Sequence, residues 1–326
     1  MNRGILVMKN NIIYYSVGAL MYCPANNKSI IKNLIDEKFG TKYSLAFCLE
    51  DTINDDAVEE AERDLISTLR TIYTSHKDMT FYLPKIFIRV RNAEQIDKIL
   101  SNIGDARDIV VGFNLPKFNA EYGSKYISEI LSANRKYNKK FYIMPILESE
   151  MLTDLQYRVK YLYDIKKLLD EVEELVLNVR VGGNDLSHAF GLRRHSFETI
   201  YDVKAVADVL IDILTVFSKD YIVSGAVWEY YNGENWDEGL KKELQKDMIS
   251  GFVGKTAIHP KQIDVINNAC KVFKEDLEDA KLILGWDLNS HSYVKGSTNN
   301  SRMNEYKTHY RWAERIKYLA EYYGVK

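Results

Sequence analysis

Apolar segments that end abruptly in charged or polar residues recur along this 326-residue chain. One of them, "YSLAFCLED", is mostly apolar and stops at two adjacent carboxylates. The polar ends of the six clearest segments are Glu50-Asp51, Arg89, Lys117, Glu148, Asp185 and His259. A (β/α)₈ barrel requires this pattern, because its functional side chains lie on loops at the carboxyl ends of its strands. The pattern therefore predicts one functional site at that end of such a barrel.

Strand-like and helix-like segments alternate along the chain, which implies parallel βαβ units. Strands are predicted at about 15–22, 44–49, 84–90, 109–115, 141–147, 174–181, 220–227 and 256–258. Amphipathic helices are predicted between them at 26–38, 55–73, 92–103, 120–134, 153–170 and 202–217. An open doubly wound sheet would carry a GxGxxG turn after its first strand, whereas "CPANNK" follows here. We therefore predict an α/β fold, a (β/α)₈ TIM barrel that forms a catalytic domain over residues 1–285.

The last part of the chain has a different character. Residues 286–302 are rich in Ser, Asn and Gly and read as a mobile loop, and an amphipathic helix is predicted over 303–323. We expect residues 286–326 to be an extension of the barrel and not an independent domain. The extension is predicted either to close as a lid over the strand ends of its own barrel or of a neighbour's, with Arg302 and Asn304 reaching the ligand, or only to cover the barrel's side or an oligomer contact.

Composition excludes some classes of partner. The 44 basic and 46 acidic side chains give a net charge of −2, without the basic excess of a nucleic-acid surface. No apolar stretch approaches the roughly 18 residues of a membrane span, and the first residues lack a signal-peptide pattern. Cys23, Cys48 and Cys270 are odd in number and far apart, so we expect buried free thiols and a cytoplasmic location.

Glu148 and Asp185 are the best metal candidates in the sequence. Each follows an apolar strand, and Gly182 and Gly183 allow the backbone to turn sharply before Asp185. Two strand-end carboxylates suit Mg²⁺, which keeps several waters and needs few protein ligands. The alternative is that both residues only begin helices, where acidic side chains are favoured by the helix dipole.

Arg89 is the best candidate for an anion ligand. A guanidinium at a strand end suits a bidentate contact with a carboxylate, although a surface salt bridge is the alternative. Glu50 and Asp51 could assist a metal through water, orient Arg89 or cap the next helix, and Lys117 could balance the negative charge.

The segment "GFVGKTAIHP" places Lys255 and His259 at the eighth strand. It lacks the GxxxxGK[ST] spacing of a phosphate loop. His259 is a candidate general base or, alternatively, a structural hydrogen-bonding group.

Taken in order, these segments resemble the citrate lyase β-subunit family of the HpcH/HpaI aldolase superfamily. The resemblance covers about residues 15–285 and rests on "LMYCPANN", "CLEDTI", "IRVRN", "LPK", "ILES", "VGGNDLSHAFG" and "GFVGKTAIHPKQI". The last two segments together are the most specific. The ending of the chain is similar to a divergent C–C bond lyase branch.

The resemblance implies a homo-oligomeric barrel that binds Mg²⁺, with Mn²⁺ as the alternative ion, through Glu148 and Asp185. It implies a C–C lyase or aldolase acting on a small carboxylate, which is often a CoA or carrier-protein thioester. Arg89 would grip the substrate, and Glu50, Asp51 or a metal-bound water would serve as the base. The other candidate substrate ligands are Asn26, Arg91, Lys117 and His259.

Two departures from the family pattern affect the substrate. Ala25 stands where Gly is usual, and Arg91 stands where Asn is usual. Two alternatives to a carboxylate lyase therefore stay open. One is a binding or accessory protein that keeps the barrel and metal site without activity. The other is an enzyme acting on a phosphorylated or nucleotide-like metabolite, with Lys117, Arg91 and Lys255 contacting phosphate.

Overall fold

Eight parallel strands form one sheet in the computed structural model, which describes residues 9–326. The strands are β1 (Ala19–Pro24), β2 (Tyr43–Cys48), β3 (Lys85–Arg89), β4 (Val110–Leu115), β5 (Tyr142–Leu147), β6 (Val179–Val181), β7 (Val223–Ser224) and β8 (Lys255–Ala257). Their order in the sheet is β7-β6-β5-β4-β3-β2-β1-β8.

The ends of this sheet meet, and the sheet curls into a barrel. A parallel bridge joins Gly225 to Lys255, and the amide of Val253 donates to the carbonyl of Val223 over 2.8 Å. These contacts link β7 to β8, the two strands at the ends of the order. The prediction of a (β/α)₈ barrel is therefore confirmed.

Helices follow the strands and cover the outside of the barrel. They are α1 (Ile12–Tyr15), α2 (Ile30–Ile35), α3 (Val58–Asp78), α4 (Glu94–Asn102), α5 (Ala120–Tyr137), α6 (Arg158–Asp170), α7 (Gly183–Ala189), α8 (Lys204–Phe217), α9 (Glu238–Ser250), α10 (Lys261–Ala269), α11 (Lys274–Leu284) and α12 (Tyr306–Tyr323). Short 3₁₀ helices occupy Asp55–Ala57, Gly104–Ile109, Glu150–Thr153, Glu173–Leu175 and Ile200–Asp202. None of the helices in residues 9–326 combines the length and apolar character that a membrane crossing requires.

Two apolar layers hold the barrel together. The larger one lies between the strands and the surrounding helices, where α3 buries Leu65, Leu69 and Ile72 at helical spacing. The smaller one fills the barrel interior with Leu20, Ala46, Phe87, Met144 and Leu177. Strands buried on both faces explain why the apolar runs in the sequence are continuous.

Three predicted strands differ from the observed ones. Residues 12–15 form the short helix α1 because the Asn11 side chain accepts a hydrogen bond from the amide of Ile13, so β1 begins only at Ala19. The predicted strands 174–181 and 220–227 shrink to β6 and β7. The residues on either side of β6 and β7 are largely buried but make only isolated bridges to other strands. The apolar runs therefore predicted the buried residues correctly but overestimated the lengths of the strands.

The polar segment after α11 is more ordered than the sequence predicted. Strands β9 (Val294–Gly296) and β10 (Met303–Glu305) form an antiparallel hairpin. Arg302 in this hairpin pairs with Asp276 over 2.8 Å and with Asp279 over 2.6 Å, both on α11. The interpretation of residues 286–302 as only a loop is therefore wrong.

Helix α12 lies at the amino ends of the strands, opposite the predicted site. The hydroxyl of Tyr323 donates to the carbonyl of Tyr15 over 2.8 Å, and the Tyr322 ring lies 5.2 Å from the ammonium of Lys85. The apolar face of α12 is buried in a separate cluster with residues from α1, α11 and the starts of β7 and β8. A lid over the chain's own site is thus excluded, while a lid over a neighbouring subunit and the domain division at residue 285 remain predictions.

Candidate functional site

Arg89 is the centre of a charged cluster at the carboxyl end of the barrel. Its guanidinium lies 2.8 Å from Glu50 Oε2, 2.8 Å from Asp51 Oδ2 and 3.5 Å from Glu148 Oε1. The Arg89 side chain is only 6% exposed, so these contacts are screened less than surface ion pairs. The structure therefore brings four of the predicted site residues into direct contact.

Strand register explains this convergence. Arg89 lies opposite Cys48 in the β2–β3 pair, so Glu50 and Asp51 follow β2 at the level where β3 ends. The amide of Leu49 continues the pairing by donating to the Arg89 carbonyl over 2.9 Å. Parallel strands end at the same edge of a sheet, so side chains that are distant in sequence meet there.

Lys117 joins the cluster through both its backbone and its side chain. Its amide donates to Glu148 Oε1 and its ammonium donates to Glu50 Oε1, each over 2.8 Å. Its φ of 48° lies in the left-handed region, which costs a non-glycine residue about 1–2 kcal/mol. The two hydrogen bonds offset this strain, and the side chain remains 60% exposed to a ligand.

Glu148 and Asp185 approach each other from the ends of neighbouring strands. Glu148 follows β5, and Asp185 lies in the first turn of α7, just after β6. A side chain at Gly182 would place its Cβ 2.4 Å from Glu148 Oε2, so glycine is required between them. Burial raises the pKa of Glu148 to about 8, with the charge of Asp185 adding to the shift and Arg89 opposing it.

The donor chemistry of this pair suits a divalent cation of the Mg²⁺ type, and its role as a metal site remains a prediction. Within residues 9–326, no group of three or more His, Cys, Asp or Glu side chains could hold a metal ion. A softer metal that needs a full protein ligand set therefore does not match the donors. Two carboxylates match Mg²⁺, which completes its shell with water and substrate oxygens.

Glu50 and Asp51 are adjacent but differ in their affinity for protons. Burial raises the pKa of Glu50 above its usual value, and Arg89 opposes that shift. Burial alone would also raise the pKa of Asp51, but hydrogen bonds and the charge of Arg89 hold it below its usual value. Paired carboxylates whose pKa values are pushed apart can divide the roles of proton carrier and fixed charge.

Arg91 lies beside the cluster and holds the loop after β2. Its Nε donates to the Leu49 carbonyl over 2.7 Å, and its other nitrogens contact Asp55 and the carbonyls of Glu50 and Ile53. Most of its donors are therefore engaged within the protein. Its predicted contact with substrate remains a prediction.

Asn26 and His259 are at the correct end of the barrel but outside the Arg89 cluster. Asn26 is exposed in the turn after β1. His259 follows β8 and stacks on Tyr231, with ring centroids 4.7 Å apart. No hydrogen bond joins either residue to the described cluster, so their roles as substrate ligands also remain predictions.

Lys255 does not face the site. Its side chain is fully buried between the barrel and α9, where it lies 2.9 Å from Glu243 and 2.6 Å from Asp247. The idea that Lys255 contacts a phosphate group is therefore wrong, because its charge is already used in the core.

Sequence reasoning missed Tyr22 and Asn114, which lie on inward faces of β1 and β4. The Tyr22 ring lies 5.6 Å from the Arg89 guanidinium, and its hydroxyl accepts a hydrogen bond from Asn114 Nδ2 over 3.1 Å. A polar residue inside an otherwise apolar strand was the available signal for Asn114 in "VVGFNL".

A cleft of about 460 Å³ opens beside the cluster and gives a ligand access to it. Its lining residues include Glu50, Arg91, Lys117, Tyr122 and Tyr126. A larger cavity of about 1070 Å³ lies between α9, α10, α11 and α12, where none of the predicted site residues is found. The smaller cleft is the one that reaches the cluster, because Glu50 and Lys117 line it.

Comparison with known families agrees with this geometry. The model of the C–C bond lyase family of the TIM-barrel fold matches residues 11–325. The chain belongs to this family. The predicted class, a carbon–carbon lyase on a TIM barrel, is thereby confirmed. A sequence comparison with curated proteins found no match.

Solved structures with the same fold include citrate lyase proteins. A citrate lyase from Burkholderia xenovorans LB400 superposes with a TM-score of 0.69 at 14% identity, covering 95% of this chain and 93% of its own. The CitE protein of Mycobacterium tuberculosis, in complex with magnesium, acetoacetate and coenzyme A, gives a TM-score of 0.62 at 17% identity and covers 94% of this chain and 99% of its own. At such identities the likeness establishes the fold alone.

Proposed function

We propose that this C–C bond lyase is Mg²⁺-dependent and acts on a small carboxylate, either free or as a thioester. The observation that carries the proposal is the contact of Arg89 with Glu50, Asp51 and Glu148 at the carboxyl edge of the barrel. This cluster combines an anion ligand, a proton carrier and a metal ligand within one site.

Glu148 and Asp185 would hold the metal. When bound, Mg²⁺ supplies Lewis-acid polarisation of a carbonyl and stabilises the negative charge that develops as the C–C bond breaks. The CitE neighbour was solved with magnesium and acetoacetate, which supports this choice of metal and substrate class. Because its complex also contains coenzyme A, a thioester remains a reasonable form of the substrate here.

Arg89 would fix the substrate carboxylate. Its planar fork presents several donors in a geometry that matches two carboxylate oxygens. Its contact with Glu148 is the longest of the three, at 3.5 Å, and shares Nη2 with the 2.8 Å contact to Glu50, so the contact with Glu148 is the one that a substrate carboxylate would displace. Lys117 stands at the cleft with an exposed ammonium and would add a second positive charge.

Glu50 would carry the proton. Its pKa is raised by burial, whereas the pKa of Asp51 is lowered by its hydrogen bond with Glu50 and by Arg89, so Glu50 is the member of the pair that keeps a proton to higher pH. It also lies beside the cleft, where a substrate hydroxyl can approach it. Asp51 would remain charged and hold Arg89.

A cleavage assay tests this function. We expect purified protein to release a carbonyl product, detected by NMR, from a panel of 3-hydroxy carboxylates and their CoA thioesters. EDTA should abolish the activity and added Mg²⁺ should restore it. Glu50→Gln should lower the rate about 10²-fold or more, because a general base contributes about that much.

Glu60→Gln, which removes an exposed acid on α3, serves as the matched control and should leave the rate unchanged. Ligand binding without any turnover would favour the non-catalytic binding protein. Turnover confined to phosphorylated compounds would favour the nucleotide-like alternative.

Homo-oligomeric assembly and a cytoplasmic location remain predictions.

A further inference from the structure

A second arginine, Arg180, is buried inside the barrel without a carboxylate partner. It lies on β6, is 1% exposed, and donates to Thr256 Oγ1 over 2.7 Å and weakly to Asn178 Oδ1 over 3.4 Å. None of the ion pairs found among residues 9–326 includes it, and residues 1–8, which lie outside the described part of the chain, contain no Asp or Glu. Both of its hydrogen-bonding partners are neutral.

An isolated buried guanidinium is unfavourable because it loses hydration without gaining an opposite charge. Lysine or histidine can lose its proton in such a place, but arginine stays charged in proteins. Burial does lower the pKa of Arg180, and the neighbouring Tyr22 hydroxyl opposes that effect. A negative group other than a protein carboxylate is therefore needed to stabilise the arrangement.

Several unsatisfied polar atoms surround this position. Arg180 Nε and Ser224 Oγ are buried and have no hydrogen-bond partner among residues 9–326, and the two residues are paired across β6 and β7. Arg89 Nε and Asn114 Oδ1 also lack a partner within this part of the chain, and these residues are paired across β3 and β4. Buried polar atoms are normally satisfied, so two such pairs inside one barrel indicate a bound polar group.

Tyr22 connects this interior position to the Arg89 cluster. Its ring faces the Arg89 guanidinium at 5.6 Å, and its hydroxyl accepts from Asn114 while lying close to Arg180. Unlike Arg180, Tyr22 is partly exposed. Tyr22 therefore separates Arg180 from the site, and an anion that enters from the site must displace the Tyr22 side chain.

We propose that Arg180, Ser224 and Thr256 form an anion-binding position inside the barrel that takes one carboxylate-sized anion. One guanidinium and two hydroxyl groups match a single negative charge, whereas a phosphate dianion would need further cations. The anion is either a second carboxylate of the substrate, which rests on the proposed function, or a free ion such as chloride or formate.

Thermal unfolding in defined salts tests the position without any need for turnover or Mg²⁺. At constant ionic strength, formate or chloride should raise the unfolding temperature of the wild-type protein, because a ligand of the native state stabilises it. Arg180→Met and Ser224→Ala should abolish or reduce this response, and Arg180→Met should be at least as stable as wild type without the anions. Arg193→Met, which removes an exposed arginine, is the matched control.

Binding of dicarboxylates distinguishes the two sources. With Mg²⁺ present, wild-type protein should bind oxaloacetate at least tenfold more tightly than acetoacetate if the substrate supplies the second carboxylate, and Arg180→Met should remove that preference. Equal binding of the two probes together with an anion response would assign the position to a free ion. An identical response of wild type, Arg180→Met and Ser224→Ala to formate and chloride would overturn the proposal, leaving only water there. A failure of the cleavage assay would not affect this result.

Discussion

Replacement of Arg89 by methionine is expected to lower the cleavage rate about 10²- to 10³-fold, the usual effect of removing one electrostatic donor from an active site. The guanidinium is the positive group among Glu50, Asp51 and Glu148, and it is also the proposed substrate ligand. Arg89→Lys keeps the charge but loses the planar fork. It should therefore still weaken acetoacetate binding about tenfold, or about 1.4 kcal/mol.

Calorimetry with acetoacetate at saturating Mg²⁺ measures the binding effect, and the cleavage assay measures the rate. Arg63→Lys, an exposed arginine on α3, should change neither quantity. If Arg89→Lys and Arg89→Met bind acetoacetate as tightly as wild type, Arg89 serves only to hold the acidic loop, and the proposed role in substrate binding is wrong.

Replacement of Lys255 by methionine is expected to lower the free energy of unfolding by about 3–5 kcal/mol. Its ammonium is fully buried against Glu243 and Asp247. Removal of the ammonium that contacts both carboxylates would leave them to repel each other in a medium of low polarity. Arg194 is a second partner of Glu243 and would compensate only part of the loss.

Urea denaturation measures this change. Lys242→Met is the matched control, because Lys242 lies on the exposed face of α9, the helix that carries Glu243 and Asp247. Its free energy of unfolding should stay within about 0.5 kcal/mol of the wild-type value. A Lys255→Met protein as stable as wild type would mean that Glu243 and Asp247 become protonated at little cost, and that the cluster contributes no net stability.

The barrel was predictable because its strands are buried on both faces and stand out as continuous apolar runs. The cluster was predictable for a related reason: Glu50, Arg89, Lys117 and Glu148 each follow such a run, and parallel strands end at one edge. Strand ends were less predictable. In the apolar runs that contain β6 and β7, many more residues are buried than are paired with a neighbouring strand. An apolar pattern predicts burial, so it overestimates the length of such strands.

Side chains inside the barrel were missed for a physical reason. Tyr22, Asn114 and Arg180 lie within strands. The prediction rested on polar residues at strand ends, so it could not detect polar residues inside strands. The alternation of side chains along a strand would have indicated Arg180, because its side chain in "LNVRV" must point either into the barrel or into the apolar layer outside it. Either place is costly for a guanidinium, so a charged residue within a buried strand predicts a partner.

The position of α12 could not be predicted from its own sequence. Its apolar face had to be buried, but either end of the barrel could have buried it. At the amino end, α12 packs against Tyr15, Val253, Cys270 and the apolar side of α11. Tyr15 is far from the other three in sequence, so this cluster forms only after the barrel closes.

Calorimetric titration of Mg²⁺ into wild type, Glu148→Gln and Asp185→Asn tests the proposed metal site most directly. We expect wild type to bind one Mg²⁺ and both variants to lose that binding while they keep the circular dichroism spectrum of the wild-type fold. Glu150→Gln, which changes an exposed carboxylate two residues beyond Glu148, should bind as wild type does. Equal Mg²⁺ affinity in all four proteins, or no binding by wild type, would contradict the account.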